Sequence, residues 1–217
     1  MATSVPPNGP ILIIEDVDNL LQLLDLTLKF KGFTTETATD GLEGYEKIDM
    51  VNPALVITDI MMPRMDGYSL LQKIRTSGKP SANIPVVLLT ATYVTPEDRE
   101  FALSLGATRF VTKPIDTEQF VQAIRQILAE TDKQPTQAMD PAEFYARYKE
   151  RLENKLKDKN AHISRIHLLL PTLSEDQKRT YAHILAAANT DRQNIINELA
   201  EINAYLQNLP QKDSPNE

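Results

Sequence analysis

The chain has 217 residues, 41% of them hydrophobic, which is enough for one ordinary domain and a smaller second part. It has no cysteine, so disulfides, thiolate metal sites and thiol nucleophiles are excluded. The net charge of -7 divides into -6 over residues 1–130 and -1 over residues 131–217, and neither part has the basic excess of a non-specific nucleic-acid binder. The opening MATSVPPNGP lacks a basic start and an apolar core, and no apolar run is long enough to span a bilayer, so we expect a soluble, cytoplasmic protein.

Strand and helix patterns alternate through the first 130 residues. Short apolar or alternating runs predict five strands, at Ile11–Ile14, Phe33–Ala38, Ala54–Thr58, Ile84–Thr90 and Thr108–Thr112. Helical spacing of apolar residues predicts a helix after each strand: Val17 to Leu28, Leu42 to Met50, Tyr68 to Thr76, one after a Thr95 cap, and one after an Asp116 cap. Near-continuous apolar strands must be buried on both faces, so we predict an α/β fold with a five-stranded, parallel, doubly wound sheet.

Reactive side chains stand where four of these strands end. In chain order they are Glu15 and Asp16, then Asp59, then Thr90, then Lys113. Ligands of such open sheets bind outside the carboxyl ends of the strands, so these side chains should converge. Three carboxylates crowded together repel one another. Either the pKa of one of them rises, or the site stays hydrated, or it binds a cation. Mg²⁺ suits an all-oxygen ligand set and keeps several waters, which leaves room for a phosphoryl group.

This set of side chains suits phosphoryl transfer. Asp59 would be the nucleophile and would form an aspartyl phosphate. Lys113 would hold one phosphoryl oxygen as a point charge, and Thr90 would donate a hydrogen bond to another. A lone Asp at a strand end is usually a turn former or a helix cap, so only the set as a whole indicates this chemistry.

Residues 10–130 resemble the receiver domain of a two-component response regulator. The resemblance rests on Glu15-Asp16, on DIMMPRMDG from Asp59 to Gly67, on PVVLLTA ending at Ala91, and on FVTKP from Phe110 to Pro114. It implies a flavodoxin-like fold in which Asp59 accepts a phosphoryl group from a histidine kinase or a phosphotransfer protein. It also implies a cis peptide before Pro114. The Mg²⁺ ligands would be Asp16, Asp59 and the backbone carbonyl of Met61, with Glu15, in place of the more frequent Asp, acting directly or through water.

The same resemblance implies a switch at Thr90 and Phe110. In the family, phosphorylation draws the hydroxyl toward the phosphate and lets the aromatic residue turn inward, which changes the face formed by the fourth helix, fifth strand and fifth helix. Phe110 lacks a hydroxyl, so coupling would come from packing alone, or Phe110 is simply a core residue. Met61 and Thr92 are at positions where the family tunes water access, and Met61 offers no group to orient a water, so we expect slow self-dephosphorylation.

Residues 131–217 differ in character from the first part. The segment TDKQPTQAMDPAE has two prolines and few apolar residues, so we expect a linker over 131–141, a helical part over 142–209 and disordered tails over 1–9 and 210–217. A charged helix is predicted from Ala142 to Leu170, where Pro171 ends it. A second helix is predicted from a Ser174–Gln177 capping box to about Asn208.

An apolar stripe runs along this second predicted helix. It comprises Tyr181, Leu185, Ala188, Ile195, Leu199, Ile202 and Leu206, with Arg192 as a charged interruption. Alternating steps of three and four residues are typical of the seam of a coiled coil or bundle. A two-helix hairpin buries both of its stripes poorly, so we expect a homodimer that forms a four-helix bundle.

Other functions fit parts of the pattern. His162, His167 and His183 lie on predicted helices, as a phosphotransfer histidine does, but their surroundings do not resemble the family's histidine boxes. Long, nearly neutral helices disfavour a DNA-binding helix-turn-helix output, and no membrane partner is expected. A phosphohydrolase using an aspartyl phosphate often has a second Asp two residues after the nucleophile, where Met61 stands. A constitutive dimeric scaffold is a further alternative, but we expect a phosphoacceptor signalling protein rather than an enzyme.

Overall fold

The computed structural model describes residues 9–90, 96–130 and 138–208. The chain divides into two units, Met1–Met139 and Asp140–Glu217, which are described separately below. Thr92, the Thr95 cap, almost all of the two expected tails and most of the expected linker lie outside the described residues. The domain boundaries expected from composition therefore stay predictions.

The first unit is built on one five-stranded parallel sheet. Its strands are β1 Ile11–Ile14, β2 Thr35–Ala38, β3 Leu55–Asp59, β4 Val86–Thr90 and β5 Arg109–Thr112. They lie in the order β2-β1-β3-β4-β5, and every neighbouring pair is parallel. The α/β fold class and the parallel sheet predicted from the alternating pattern are confirmed.

In the described part of this unit, five helices connect or follow the strands: α1 Asp18–Phe30, α2 Gly41–Val51, α3 Gly67–Arg75, α4 Pro96–Ser104 and α5 Thr117–Ala129. Three of them begin at an aspartate whose side chain accepts backbone N–H groups of the first turn: Asp40 for α2, Asp66 for α3 and Asp116 for α5. These caps fix where each helix leaves the loop at the carboxyl edge of the sheet.

Both faces of the sheet are covered. On one face, β1, β3 and β4 share an apolar cluster with α1 and α5. On the other face, α2 lies so close to β1 that a Cβ added at Gly44 would be 2.3 Å from the Cδ1 of Ile14. The three central strands are fully buried, whereas β2 and β5 are partly exposed. Burial on both faces explains the uninterrupted apolar runs of the central strands.

Four strands have bounds that differ from the sequence pattern, and two of them, β2 and β4, begin two residues later than predicted. β2 begins at Thr35 rather than Phe33, whose ring packs against the core while its backbone closes the turn after α1. β4 begins after Pro85, which has no N–H to donate, rather than at Ile84. A 3-10 turn over Pro80–Asn83 precedes it and was not predicted. An apolar pattern marks burial, and it does not separate a strand from a buried turn beside it.

The second unit is a helical hairpin of α6 Pro141–Leu169 and α7 Glu175–Gln207, joined through a 3-10 turn, Leu170–Thr172. The predicted capping box is present, with the Ser174 and Gln177 side chains each bonded to the other's backbone N–H. At about 1.5 Å per residue, α7 is about 50 Å long.

A proline and an aspartate cap define the start of α6. Asp140 accepts the N–H groups of Ala142 and Glu143, and Pro141 occupies the first helical position. Proline is favoured there because its missing N–H would have no partner in any case. The helix therefore begins at Pro141, one residue before the start predicted at Ala142.

The α7 stripe packs against α6 of the same chain. Ala188, Ile195, Leu199 and Ile202 are buried, and Tyr181, Leu185 and Leu206 are half-buried. Polar contacts join the two helices beside the stripe: Lys159 to Asp191 at 2.9 Å, Arg192 to Asn160 at 2.7 Å and Tyr148 to Glu198 at 2.6 Å. The α7 stripe predicted to form a dimer seam thus already packs against a helix of the same chain. Dimerisation stays a prediction. No helix in the described ranges is long and apolar enough to cross a membrane.

Arg75 at the end of α3 is buried, and its guanidinium donates hydrogen bonds to backbone carbonyl groups. Its Nε and Nη2 donate to Gly106 O at 3.2 and 2.7 Å, and its Nη1 donates to Ala82 O at 2.7 Å and Ile84 O at 2.9 Å. Burial lowers the pKa of the guanidinium to about 10. Arg75 therefore ties α3 to the segments that lead into β4 and β5.

We expect Arg75→Met to destabilise the protein by about 3 kcal/mol, because three carbonyl oxygens, two of them buried, lose a hydrogen-bond donor. Urea unfolding monitored by circular dichroism would measure this change. Lys73→Met, on the exposed side of the same helix, is the matched control and should change stability by less than about 0.5 kcal/mol. Equal stability of the two variants would contradict the structural role of Arg75.

Candidate metal centre

Three carboxylates meet at the carboxyl edge of the sheet. Asp59 ends β3, and Glu15 directly follows β1, whose last residue, Ile14, is paired with Thr58. One carboxylate oxygen from each of Glu15, Asp16 and Asp59 lies within 4.8 Å of the others. The parallel register therefore produces the convergence expected from the strand ends.

Lys113 joins two of these acids. Its Nζ lies 2.7 Å from Glu15 Oε2 and 2.6 Å from Asp59 Oδ1. Its backbone N–H donates to Thr90 O at 2.7 Å, which extends the pairing of β4 with β5 to the edge of the site. The peptide bond between Lys113 and Pro114 is cis, as the resemblance implied.

The site is buried on one side and open on the other. Glu15 and Asp59 are 1% and 5% exposed, whereas Asp16 is exposed and Met61 is 51% exposed. The Met61 N–H donates to Asp59 Oδ2 at 2.7 Å, so the two Asp59 oxygens have different partners. Among the described residues of the site, Asp16 and Met61 are therefore the ones that solvent reaches most easily.

Burial and mutual repulsion disfavour the charged acids. Burial raises the pKa of Glu15, the hydrogen bond from Lys113 opposes this, and the charge of Asp59 raises it further. Burial also raises the pKa of Asp16, and Asp59 adds to this effect. For Lys113, burial favours the neutral form, but hydrogen bonds to Asp59 and Glu15 outweigh it and raise the pKa. The lysine therefore stays charged at neutral pH.

The donor set fits a hard divalent cation. Three carboxylates face one ammonium group, an excess of two negative charges that a divalent cation would balance. All the donors are oxygens, the ligand type of Mg²⁺, and the exposed side leaves space for the waters that Mg²⁺ retains. Asp16, Asp59 and the Met61 carbonyl would hold the ion, and Glu15, already bonded to Lys113, would contribute directly or through water.

Two other predicted site residues lie on the neighbouring strands. Thr90 ends β4 and is buried, one residue beyond the pairing of Asp59 with Leu89. Phe110 is half-buried on β5, where it lines a groove of about 620 Å³ together with Leu103 of α4 and Gln119 of α5. The sequence interpretation missed Asp40 and Arg64, which form an ion pair beside the loop after Asp59. The Asp-Gly pair before α2 was the available signal.

We expect Asp16→Asn to stabilise the metal-free protein at pH 7 and to weaken stabilisation by Mg²⁺. The pKa of Asp16 is higher in the folded protein than its unfolded value near 3.8. Ionisation of Asp16 therefore lowers the stability of the protein as the pH rises from the unfolded pKa through the folded pKa, and at pH 7 the whole loss is present. Because Asp16 is exposed, solvent screening keeps the gain below about 1 kcal/mol. Urea titrations with a chelator and with Mg²⁺ would measure both effects.

Asp18→Asn is the matched control, since Asp18 is an exposed acid in the first turn of α1. It should leave the Mg²⁺ effect unchanged. An Asp16→Asn variant that is less stable than wild type without metal would contradict a destabilising effect of the Asp16 charge.

Comparison with known proteins places this geometry in a family. Residues 11–125 match the model described as the response regulator receiver domain. The chemotaxis protein CheY4 of Vibrio cholerae has a similar structure, with a TM-score of 0.51 and 26% identity over 55% of this chain and 98% of that protein.

Curated relatives show the same similarity. The DNA-binding dual master transcriptional regulator RpaA of Synechocystis is 33% identical over 128 residues, 59% of this chain and 52% of RpaA. The response regulator MprA of Mycobacterium ulcerans is 32% identical over 130 residues, 60% of this chain and 54% of MprA. This chain thus spans about half the length of the curated relatives it matches. Because the receiver match covers more than half of the chain, the chain belongs to the response regulator receiver domain family.

Proposed function

We propose that this protein is a phosphorylation-controlled switch in which Asp59 accepts a phosphoryl group from a phosphohistidine of a partner kinase or phosphotransfer protein. The observation that carries the proposal is the Lys113 ammonium, which contacts both Asp59 and Glu15 at the mouth of an acidic cluster. Asp59 would be the nucleophile, and the Lys113 cation beside it could form a hydrogen bond with the phosphoryl group after transfer. Phosphoryl transfer needs such positioning and charge stabilisation more than it needs acid–base chemistry.

The proposed transfer is a displacement at phosphorus. An Asp59 oxygen forms the new P–O bond while the N–P bond of the donor breaks, and the leaving imidazole takes up a proton from solvent. Bound Mg²⁺ would neutralise charge on the phosphoryl oxygens. Lys113 would move its hydrogen bond from Asp59 to a phosphoryl oxygen, and the Thr90 hydroxyl would donate to another.

The phosphoacceptor role predicts a single, Mg²⁺-dependent modification. Incubation with a small phosphoramidate should add one phosphoryl group, seen as a mass increase on the intact protein and as a base-labile signal. Asp59→Asn should abolish the modification, because the amide is not nucleophilic. Lys113→Met should bind Mg²⁺ but should be modified far more slowly, since no cation stabilises the transferred group.

The same assay tests the enzyme alternative. A phosphohydrolase would release phosphate from p-nitrophenyl phosphate over many turnovers, whereas a switch would stop near one equivalent. A label on His162, His167 or His183, which are exposed on α6 and α7, would instead indicate phosphotransfer through the hairpin.

We propose a protein partner, rather than DNA, for the helical hairpin. Its helices are 29 and 33 residues long, and residues 140–208 contain 10 basic and 10 acidic side chains, so the hairpin offers no basic recognition helix. RpaA is described as DNA-binding, which makes DNA the alternative outcome to test. Salt-dependent binding of duplex DNA by the full-length protein would contradict our proposal.

A second copy of the chain is the partner that the hairpin fits best. Three large apolar side chains near the turn are exposed: Leu168 at 78%, Leu169 at 47% and Ile184 at 43%. They lie beside the half-buried end of the α7 stripe, so a second hairpin could continue the seam. Exposed apolar patches of this kind are typical of interaction surfaces.

We expect Leu168→Glu with Ile184→Glu to convert a dimer into a monomer in light scattering, because four charges would enter the bundle interface. Leu26→Glu, at a 66% exposed position on α1, is the control and should leave the mass unchanged.

The measurement should be made in Mg²⁺ with and without beryllofluoride. A mass change on adding beryllofluoride that Asp59→Ala abolishes would show control by phosphorylation, and an equal dimer in both states would favour the scaffold. A wild-type monomer under both conditions would contradict dimerisation.

A further inference from the structure

The loop that joins Asp59 to α3 contains a strained turn. The Met65 N–H donates to Pro63 O at 2.7 Å, so the three residues form a γ-turn centred on Arg64. The φ of Arg64 is 65°, in the left-handed region that residues other than glycine rarely adopt. A turn of this kind persists only where contacts outside it hold it in place.

An ion pair supplies such a contact. The guanidinium of Arg64 pairs with Oδ2 of Asp40, whose side chain is almost completely buried. The other oxygen, Oδ1, accepts the N–H of Leu42 at 2.8 Å and of Glu43 at 3.0 Å. One carboxylate therefore holds the γ-turn with one oxygen and the start of α2 with the other.

Close backbone packing leaves this loop little room to shift. A Cβ added at Gly41 would lie 2.3 Å from Met65 O, so the loop rests directly on the first turn of α2. A Cβ added at Gly67 would lie 2.4 Å from Asp59 O, and the Gly67 N–H donates to Ile60 O at 2.9 Å. A displacement of the γ-turn would therefore be transmitted toward Asp59.

The loop controls one oxygen of the nucleophile, because the Met61 N–H donates to Asp59 Oδ2 at 2.7 Å. We propose that the Arg64–Asp40 ion pair is a positioning device that holds the Met61 backbone, and through it the Asp59 carboxylate and the Met61 carbonyl, in place. The part concerning the carbonyl as a Mg²⁺ ligand rests on the proposed function. The part concerning Asp59 Oδ2 stands without metal.

Five variants of the full-length protein test this role: the single variants Arg64→Gln and Asp40→Asn, their double variant, the conservative variant Arg64→Lys and the control Lys79→Gln. Asparagine at position 40 keeps an oxygen to cap α2, so it removes the charge and not the helix start. Lys79→Gln is the matched control, since it breaks the exposed Lys79–Asp49 pair, which also joins α2 to the segment after α3.

The first readout is hydrogen exchange of the Met61 amide in metal-free protein, measured by NMR. Both single variants should exchange several times faster than wild type, the double variant should exchange no faster than the more affected single variant, and the control should be unchanged. This pattern is expected for two residues that act as one unit. Circular dichroism would confirm that each variant is folded.

The second readout is Mg²⁺ affinity by calorimetric titration. Contacts that orient a metal ligand are typically worth about tenfold or more in affinity, so we expect about tenfold weaker binding in both single variants and partial recovery in Arg64→Lys. Lower thermal stability with wild-type Met61 exchange and wild-type Mg²⁺ affinity would overturn the proposal. Absence of Mg²⁺ binding in the wild type would instead refute the metal part of the proposed function, and Met61 exchange would still decide the positioning role.

Discussion

The Lys113 ammonium group holds two buried carboxylates together at the edge of the sheet, 2.7 Å from Glu15 and 2.6 Å from Asp59. Without this cation, two acids with almost no exposure to water would repel each other across adjacent strands, which is costly at low dielectric. The three residues come from the ends of β1, β3 and β5, so one electrostatic contact brings the carboxyl ends of three strands to a common point. The positive charge of Lys113 does not neutralise the acids of the site, because Asp16 adds a third carboxylate.

This incomplete balance is the basis of the proposed switch. A phosphoryl group brings a charge of about -2 at neutral pH into a site where acids already outnumber cations. Lys113 would have to divide its hydrogen bonds between the acids and the new oxygens, and its backbone is tied to Thr90 O by a 2.7 Å hydrogen bond. Phe110 pairs in register with Leu88 on β4 and faces an open groove, so it has space to change position. A shift of a few kcal/mol between two such arrangements is enough to invert their populations.

The sequence predicted those parts of the structure that depend on local pattern. Asp59 could be placed because a buried strand ends there, and Ser174 could be placed because the capping box is a short-range signal. Arg75 could not be predicted, because a single arginine on an amphipathic helix usually faces solvent and its carbonyl partners lie on other segments. The Arg64–Asp40 pair was missed for the same reason: its two members lie 24 positions apart, and nothing local to either indicates the other.

The helical hairpin shows what periodicity leaves open. The stripe on α7 predicts that one face is buried, but it does not say whether the covering surface belongs to the same chain. Cross-helix contacts of Asp191, Arg192 and Glu198 with α6 fix the register of the two helices. Burial raises the pKa of Glu198, which accepts the hydrogen bond from Tyr148.

Sliding one helix along the other by a turn would break all three polar contacts. The exposed apolar side chains near the turn therefore cannot be buried by a shift within the hairpin, because register is already fixed by side chains farther along. Removing Leu168 and Ile184 from water requires a surface that this hairpin does not supply. Such a surface would have to match a long, mixed-charge helical pair with an apolar end, and a second hairpin of the same sequence has that pattern.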